Sequence, residues 1–203
     1  MSLANYSGLK ASVANWLNRT DLTAEIVDFI ELAENRISHE LRIPAMEKTI
    51  LLNVNTDGYA VLPSDYLEAK DIFWNYEPLD RITPAQLYRM VDRSGVAPEF
   101  YARETYRLKF YPTPTVTASD EMRMIYYFDP GRLTDAAPTN VLLSTAPELF
   151  LYGALVQAAV FLGTDMAQKQ AWEAEYQTAL ARLTKHAREA EASGATPMVQ
   201  LGY

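Results

Sequence analysis

"APELFLYGALVQAAVFLG", residues Ala146 to Gly163, is the stretch that decides how this chain folds. Between Leu149 and Thr164 it carries no charge, and its large apolar side chains point in nearly every helical direction. A helix without a polar face needs partners all round, so it belongs either in a membrane or at the centre of a bundle. The uncharged run of about 16 residues is shorter than the roughly 20 that span a bilayer. It also contains Gln157 and has no flanking cluster of Lys or Arg. The sequence therefore predicts a buried core helix, with Leu149, Gly153, Ala154 and Ala158 as its central stretch. The small residues Gly153, Ala154, Ala158 and Ala159 let a neighbouring helix come close. Part of the helix at a subunit contact fits the same pattern.

The partners lie at both ends of the chain. Tyr6, Leu9, Val13, Trp16 and Leu17 recur at helical spacing and predict an amphipathic helix over 5–18. "NRTD" breaks it, and a longer helix follows to about Arg42 with Leu22, Ile26, Phe29, Ile30, Ala33, Ile37 and Leu41 along one stripe. Asp21 and Glu25 open that helix and Arg36, His39 and Arg42 close it, which complements its dipole. Ile43-Pro44 then stops it. Beyond the apolar stretch, Thr145 is placed to cap with Glu148, Gly163 to end the helix and Asp165 to cap the next. The last helix runs to about residue 190 with Trp172, Tyr176, Ala179, Leu180 and Leu183 on one side.

The middle has a different texture. "TILLNVNTDGYAVLP" alternates about Asp57-Gly58, a pair typical of a type I′ hairpin. "SDYLE" reads as a short turn, and "AKDIFW", "PEFYAR", "RLKFYP" and "EMRMIYYF" as strands. Between them Thr83, Pro84 and Gln86 form a capping box for a short helix. The predicted class is α+β, mainly α. A helical bundle of residues 1–46 and 129–192 carries a β-rich insertion, 47–128, and an extended or flexible tail, 193–203.

Composition narrows the function. With 203 residues, 49% of them hydrophobic and 22% charged, the chain can bury a core. The absence of cysteine rules out disulfides and thiolate chemistry, and His39 and His186 are too few for a histidine-rich metal site. A net charge of −8 argues against a protein built to grip phosphates. "MSLANYSGLKAS" lacks the basic start and apolar core of a signal peptide.

Catalytic patterns are missing: no nucleophile elbow, phosphate loop, dinucleotide fingerprint or zinc motif is found. His39-Glu40 has no second histidine at metalloprotease spacing. Glu31 with Glu34, and Asp65, Asp71 and Asp80, read as solvated-face, turn and cap residues. Two surface signals remain. Tyr59, Tyr66, Phe73, Trp74, Tyr76, Phe100, Tyr101, Tyr106, Phe110, Tyr111, Tyr126, Tyr127 and Phe128 crowd the middle beside Arg103, Arg107, Lys109 and Arg123. Such a set serves a core and a protein interface, or, as an alternative, stacks nucleic-acid bases. The tail "TPMVQLGY" is apolar and uncharged, so Met198, Val199, Leu201 and Tyr203 are candidate docking residues.

Read in order, the segments resemble the head-to-tail adaptor (connector) proteins of tailed bacteriophages, akin to tail tubular protein A. "YSGLKASVANWLNRTDL" and "IVDFIELAENRI" carry the likeness at the N-terminus, "LPSDYLE" and "PLDRITPAQLY" in the middle, and "LYGALVQAAVFL" and "WEAEYQTALARL" near the C-terminus. It covers about residues 6–185, with the tail outside it. The resemblance implies a structural virion protein made in the host cytoplasm, with no catalytic residues, cofactor or metal. It implies a ring, commonly of twelve subunits, beneath the portal protein. That ring extends the channel through which double-stranded DNA passes without specific binding, and offers a platform to the tail or nozzle protein. C-terminal segments of the family often reach the portal, which gives Met198, Val199, Leu201 and Tyr203 a partner; no membrane is involved. Two other classes stay in view: a nucleic-acid-binding module using Arg and Tyr of the β unit, marked by steep salt dependence, and a small cell-wall hydrolase using paired carboxylates.

Overall fold

In the computed structural model, which describes residues 3–91, 95–117 and 120–192, the apolar stretch is helical and packed on most of its sides. The chain is α+β. It opens with helices α1 (Tyr6–Leu17) and α2 (Thr23–Glu40) and a 3₁₀ turn at Pro44–Met46. Strands β1 (Glu47–Leu51), β2 (Tyr59–Val61), β3 (Tyr66–Trp74), β4 (Glu77–Pro78) and β5 (Asp80–Arg81) lead to the short α3 (Pro84–Leu87). Strands β6 (Phe100–Glu104), β7 (Arg107–Tyr111) and β8 (Met122–Phe128) precede α4 (Val141–Thr145), α5 (Pro147–Leu162) and α6 (Met166–Ala192). Two compact units result, Met1–Met46 with Pro130–Tyr203, and Glu47–Asp129.

In the helical unit, α5 packs against α1, α2, α4 and α6. Leu149, Ala154, Leu155 and Ala158 are wholly buried, and Phe150 nearly so. Gly153 explains the closeness of α2: a Cβ there would sit 2.9 Å from the Ala33 Cβ. The stripe of α2 predicted from the sequence, Ile26, Phe29, Ile30, Ala33 and Ile37, is buried. Asparagines bound α1. Asn5 accepts the Gly8 N–H at 2.8 Å, and Asn18 ends the helix in the left-handed region at φ 52°. Gly163 does the same for α5 at φ 61°.

One cap differs from the sequence reading. Thr145 belongs to α4, where its hydroxyl donates to the Val141 carbonyl at 2.8 Å, and α5 starts from Ala146 with no side-chain cap. Pro147 occupies the first turn, where a missing N–H costs nothing. The side-chain cap falls one helix earlier: Asn140 Oδ1 accepts the Leu143 N–H at 2.8 Å and begins α4.

The β unit holds two four-stranded sheets, ordered β1-β8-β3-β4 and β2-β7-β6-β5, antiparallel except for β5 with β6. One apolar cluster draws on both: Ile72, Trp74, Met122, Met124 and Tyr126 from the first, Ala60, Tyr101, Leu108 and Phe110 from the second. The predicted capping box is present, with Thr83 Oγ1 accepting from Gln86 N at 3.2 Å and Gln86 Oε1 accepting from Thr83 N at 3.0 Å.

The predicted hairpin is formed only at its tip, where Asn55 N–H bonds the Tyr59 carbonyl at 2.8 Å. β1 pairs with β8 from Glu47↔Tyr127 to Leu51↔Arg123, while β2 pairs with β7. Beyond that bond, an antiparallel bridge between Val54 and Ala60 joins the two flanks of the turn. The turn is not type I′. Gly58 N–H bonds the Asn55 carbonyl at 2.9 Å, and Gly58, at φ 73°, is left-handed while Asp57 is not. Asn55 Oδ1 takes the N–H groups of Asp57 and Tyr59 at 3.2 and 2.8 Å, so the side chain braces the turn. "SDYLE" is a turn only in its first half: Tyr66 N–H bonds the Pro63 carbonyl at 3.2 Å across Ser64 and Asp65, and Tyr66–Glu68 then begins β3, held by pairing to Tyr127 and Phe128.

Candidate functional site

The central helix candidates sit where α5 is most enclosed: Leu149, Ala154 and Ala158 are fully buried, and Gly153 lies against Ala33 and Tyr176. The docking candidates Met198, Val199, Leu201 and Tyr203 lie outside the described residues. What the sequence reading missed is the far end of α5. Val160 and Phe161 are 58% and 60% exposed, and Met166 at the start of α6 is 63% exposed. The Phe161 ring leans on Phe29 with centroids 5.4 Å apart and leaves its outer face open. A run that is apolar all round gives no periodic signal to separate its buried turns from its bare one.

Charged side chains lock the helical unit. The Arg36 guanidinium grips Glu173 through two bonds of 2.8 and 2.6 Å, reaches Glu40 at 3.0 Å, and lies 4.0 Å from the centroid of the Tyr176 ring. Tyr176 donates its phenol to Glu40 Oε2 at 2.8 Å. The bidentate bond from Arg36 outweighs partial burial and holds the Glu173 carboxyl at about 2. Burial, then the bond to Glu40, pushes the Tyr176 phenol well above its ordinary range.

The carboxylates suspected of chemistry are occupied elsewhere. Glu31 pairs with Arg132, and Glu34 Oε1 accepts the Leu133 N–H at 2.8 Å, so both pin the segment before α4. Asp65 pairs with Lys48 at 2.9 Å and accepts the Tyr126 phenol at 2.9 Å. Burial alone would raise its carboxyl, but those two bonds outweigh it and hold it below its usual range. Asp71 on β3 and Asp80 on β5 belong to different sheets. His39 and His186 are exposed. Among the described residues, no three His, Asp or Glu side chains converge to hold a metal, and no helix is long and apolar enough to cross a membrane.

The aromatic middle divides by face. Trp74, Tyr101, Phe110 and Tyr126 fill the core, whereas Tyr76 and Tyr106 are 77% and 68% exposed. The exposed Tyr76 and the half-buried Tyr59 and Tyr66 are not bare platforms, because cations lie over them. Arg107 lies 4.0 Å and Lys109 4.8 Å from the Tyr59 centroid, Arg103 lies 5.1 Å from Tyr66, and Arg123 lies 5.4 Å from Tyr76. The cations are themselves held: Arg107 by Glu104 at 3.2 Å, Arg123 by Glu121 at 2.9 Å, and Arg103 by the Thr105 carbonyl at 3.2 Å. Tyr88, which the sequence reading passed over, joins this group, donating to Glu104 Oε1 at 2.5 Å and lying 3.1 Å from the Tyr59 hydroxyl. The bond to Glu104, then that to Tyr59, raises its phenol far above the ordinary range. Stacking a nucleic-acid base on these rings would first require lifting a paired cation off each. The geometry suits a protein surface of neutralised arginine and tyrosine better.

Two clefts accompany these surfaces. One, about 260 Å³, opens on the face of the first sheet between Phe73, Tyr76, Arg123 and Ile125. The other, about 320 Å³, lies between α1 and α2 over Ala11, Ala14, Ile26 and Val27, with Lys10 and Arg19 at its rim. Comparison with known proteins adds one match. The family described as "SU10 adaptor protein" matches residues 4–200, running through both compact units. No curated protein matches the chain.

Proposed function

The chain belongs to the SU10 adaptor protein family and is thus a bacteriophage adaptor, a structural component of the virion; from that premise we propose that it forms the ring joining head to tail. In this reading about twelve copies assemble beneath the portal protein, in the manner of tail tubular protein A. They extend the DNA channel and present a platform to the tail or nozzle protein. The observation that carries the proposal is the extent of the match: it covers residues 4–200, so the kinship belongs to the whole chain and not to one transferable module.

The physical character of the surfaces supports the reading. The helical unit is cross-tied by ion pairs between segments far apart in sequence, which makes it a stiff body. Its α5–α6 end keeps apolar side chains in the open, and the β unit presents tyrosines sheathed in paired arginines. At −8 per copy, a ring of twelve carries roughly −100, which favours passage of DNA over adhesion to it. Met198, Val199, Leu201 and Tyr203 are proposed to dock on the portal.

The test is the mass in solution, by light scattering, of the chain alone and mixed with the portal protein encoded beside it. The expected result is a portal complex carrying about a dozen copies of the chain. No association across a range of salt concentrations would overturn the proposal. Deleting 193–203 is expected to weaken the complex while leaving the helical circular-dichroism signal unchanged.

A further inference from the structure

We propose that the α5–α6 corner of one copy, Val160, Phe161 and Met166, seats in the α1–α2 groove of the next copy. The inference rests on the ring reading and gives it a contact. A closed ring needs two different, complementary patches on every copy, because a single self-complementary patch stops at a dimer. The helical unit carries one convex and one concave candidate.

The convex one is the corner. Val160, Phe161 and Met166 fall within seven residues of chain and are each more than half exposed, the first two ending α5, whose earlier turns are packed, and the third opening α6. Exposed apolar side chains gathered this closely mark a contact surface more often than chance exposure does. The concave one is the groove, with Ile26 buried in its floor and Ala11, Ala14 and Val27 along it. Size agrees: a benzene-sized group fills a cavity of roughly 150 Å³, so a groove of about 320 Å³ takes two such side chains, the Phe161 ring and the Met166 thioether.

Charge agrees as well. The corner's only ionised neighbour in the turn before α6 is Asp165, which is exposed, and the rim of the groove holds Lys10 and Arg19. Those cations keep Asp135 and Asp21 as partners at 2.7 and 2.6 Å, so an incoming carboxylate joins a network and meets no isolated charge. The cleft on the first sheet is a poorer host, because Glu121 lines it together with Arg123.

The chain has no cysteine, which makes the test clean. Phage particles are assembled with the double variant Ala11→Cys/Phe161→Cys and oxidised with diamide. The products are then resolved on a non-reducing denaturing gel. The expected result is a ladder extending beyond dimer that collapses on reduction, while each single variant stops at monomer. If the double variant is in the particles yet only monomers appear, the contact is wrong and the ring reading survives. Dimers from Phe161→Cys alone would mean that corner meets corner, and a crosslink from it to the portal would mean that the portal owns the corner; either result overturns the inference. Absence of the wild-type chain from particles would overturn the ring reading itself. Should the double variant fail to fold, Ala14→Trp plugs the groove from an accessible position. It is expected to cut incorporation at least tenfold with an unchanged circular-dichroism spectrum, and undiminished incorporation overturns the proposal.

Discussion

The helical unit and the β unit place their arginines differently. In the helical unit ion pairs span the sequence: Arg36 reaches Glu173, Lys10 reaches Asp135, Arg182 reaches Glu148 and Arg132 reaches Glu31. In the β unit the arginines find partners two or three residues away, Arg123 with Glu121 and Arg107 with Glu104, and lie over nearby tyrosine rings. The first pattern stitches an interior together; the second neutralises a surface, and in that unit lysines do the longer stitching, Lys48 to Asp65 and Lys70 to Glu47. Arginines thus brace one region and dress the other.

The strongest way to break this comparison is through the two cores. Phe150→Ala in the helical unit and Phe110→Ala in the β unit each remove a ring with at most 1% exposure and are expected to cost about 3–5 kcal/mol. Hydrogen exchange should rise chiefly in the unit that was cut. Equal rises in both units for either variant would show that the two cores unfold as one.

A second measurement bears on the bracing charges. Glu173 sits at about 2 in the fold against an ordinary 4.5, so the stabilisation by its bond to Arg36 is complete above pH 4.5. It is lost as the pH falls from 4.5 toward 2, because the unfolded chain takes up the proton first. With the carboxylate about a third exposed, solvent screening leaves roughly 1–2 kcal/mol. Urea midpoints followed across that window should therefore fall less steeply in Arg36→Met than in the wild type. Identical slopes would show that the clamp contributes nothing.

The smallest expected effect is local. Thr83→Ala removes one arm of the capping box and is expected to cost about 1 kcal/mol in a denaturant titration, with α2, α5 and α6 untouched. An effect above about 2 kcal/mol would mean that α3 braces more of the β unit than its own turn.

What could be read from the sequence was what neighbouring residues decide among themselves. Thr83, Pro84 and Gln86 announced their capping box, Gly163 announced the end of α5, and the stripe of α2 announced its buried face. Pairing between distant segments left no such mark. Asp57-Gly58 indicates a turn, but nothing in "TILLNV" says that its partner is β8, some seventy residues on. Thr145 has a good cap's chemistry and lost the role because α4 closed around it. Glu31 and Glu34 read as part of a solvated face because Arg132 and Leu133, which occupy them, lie about a hundred residues away. The bare end of α5 was hidden for a different reason: its composition is that of the buried turns before it.

The division of the chain into Met1–Met46 with Pro130–Tyr203, and Glu47–Asp129, also sets the order in which the protein can be made. The stripe of α2 leaves the ribosome more than a hundred residues before α5, against which it packs. At roughly 5–20 residues per second, that apolar face waits about 5–20 s for its partner, while the contiguous β unit emerges complete and can fold first. The last helices to be synthesised therefore bring to completion the unit that was begun first.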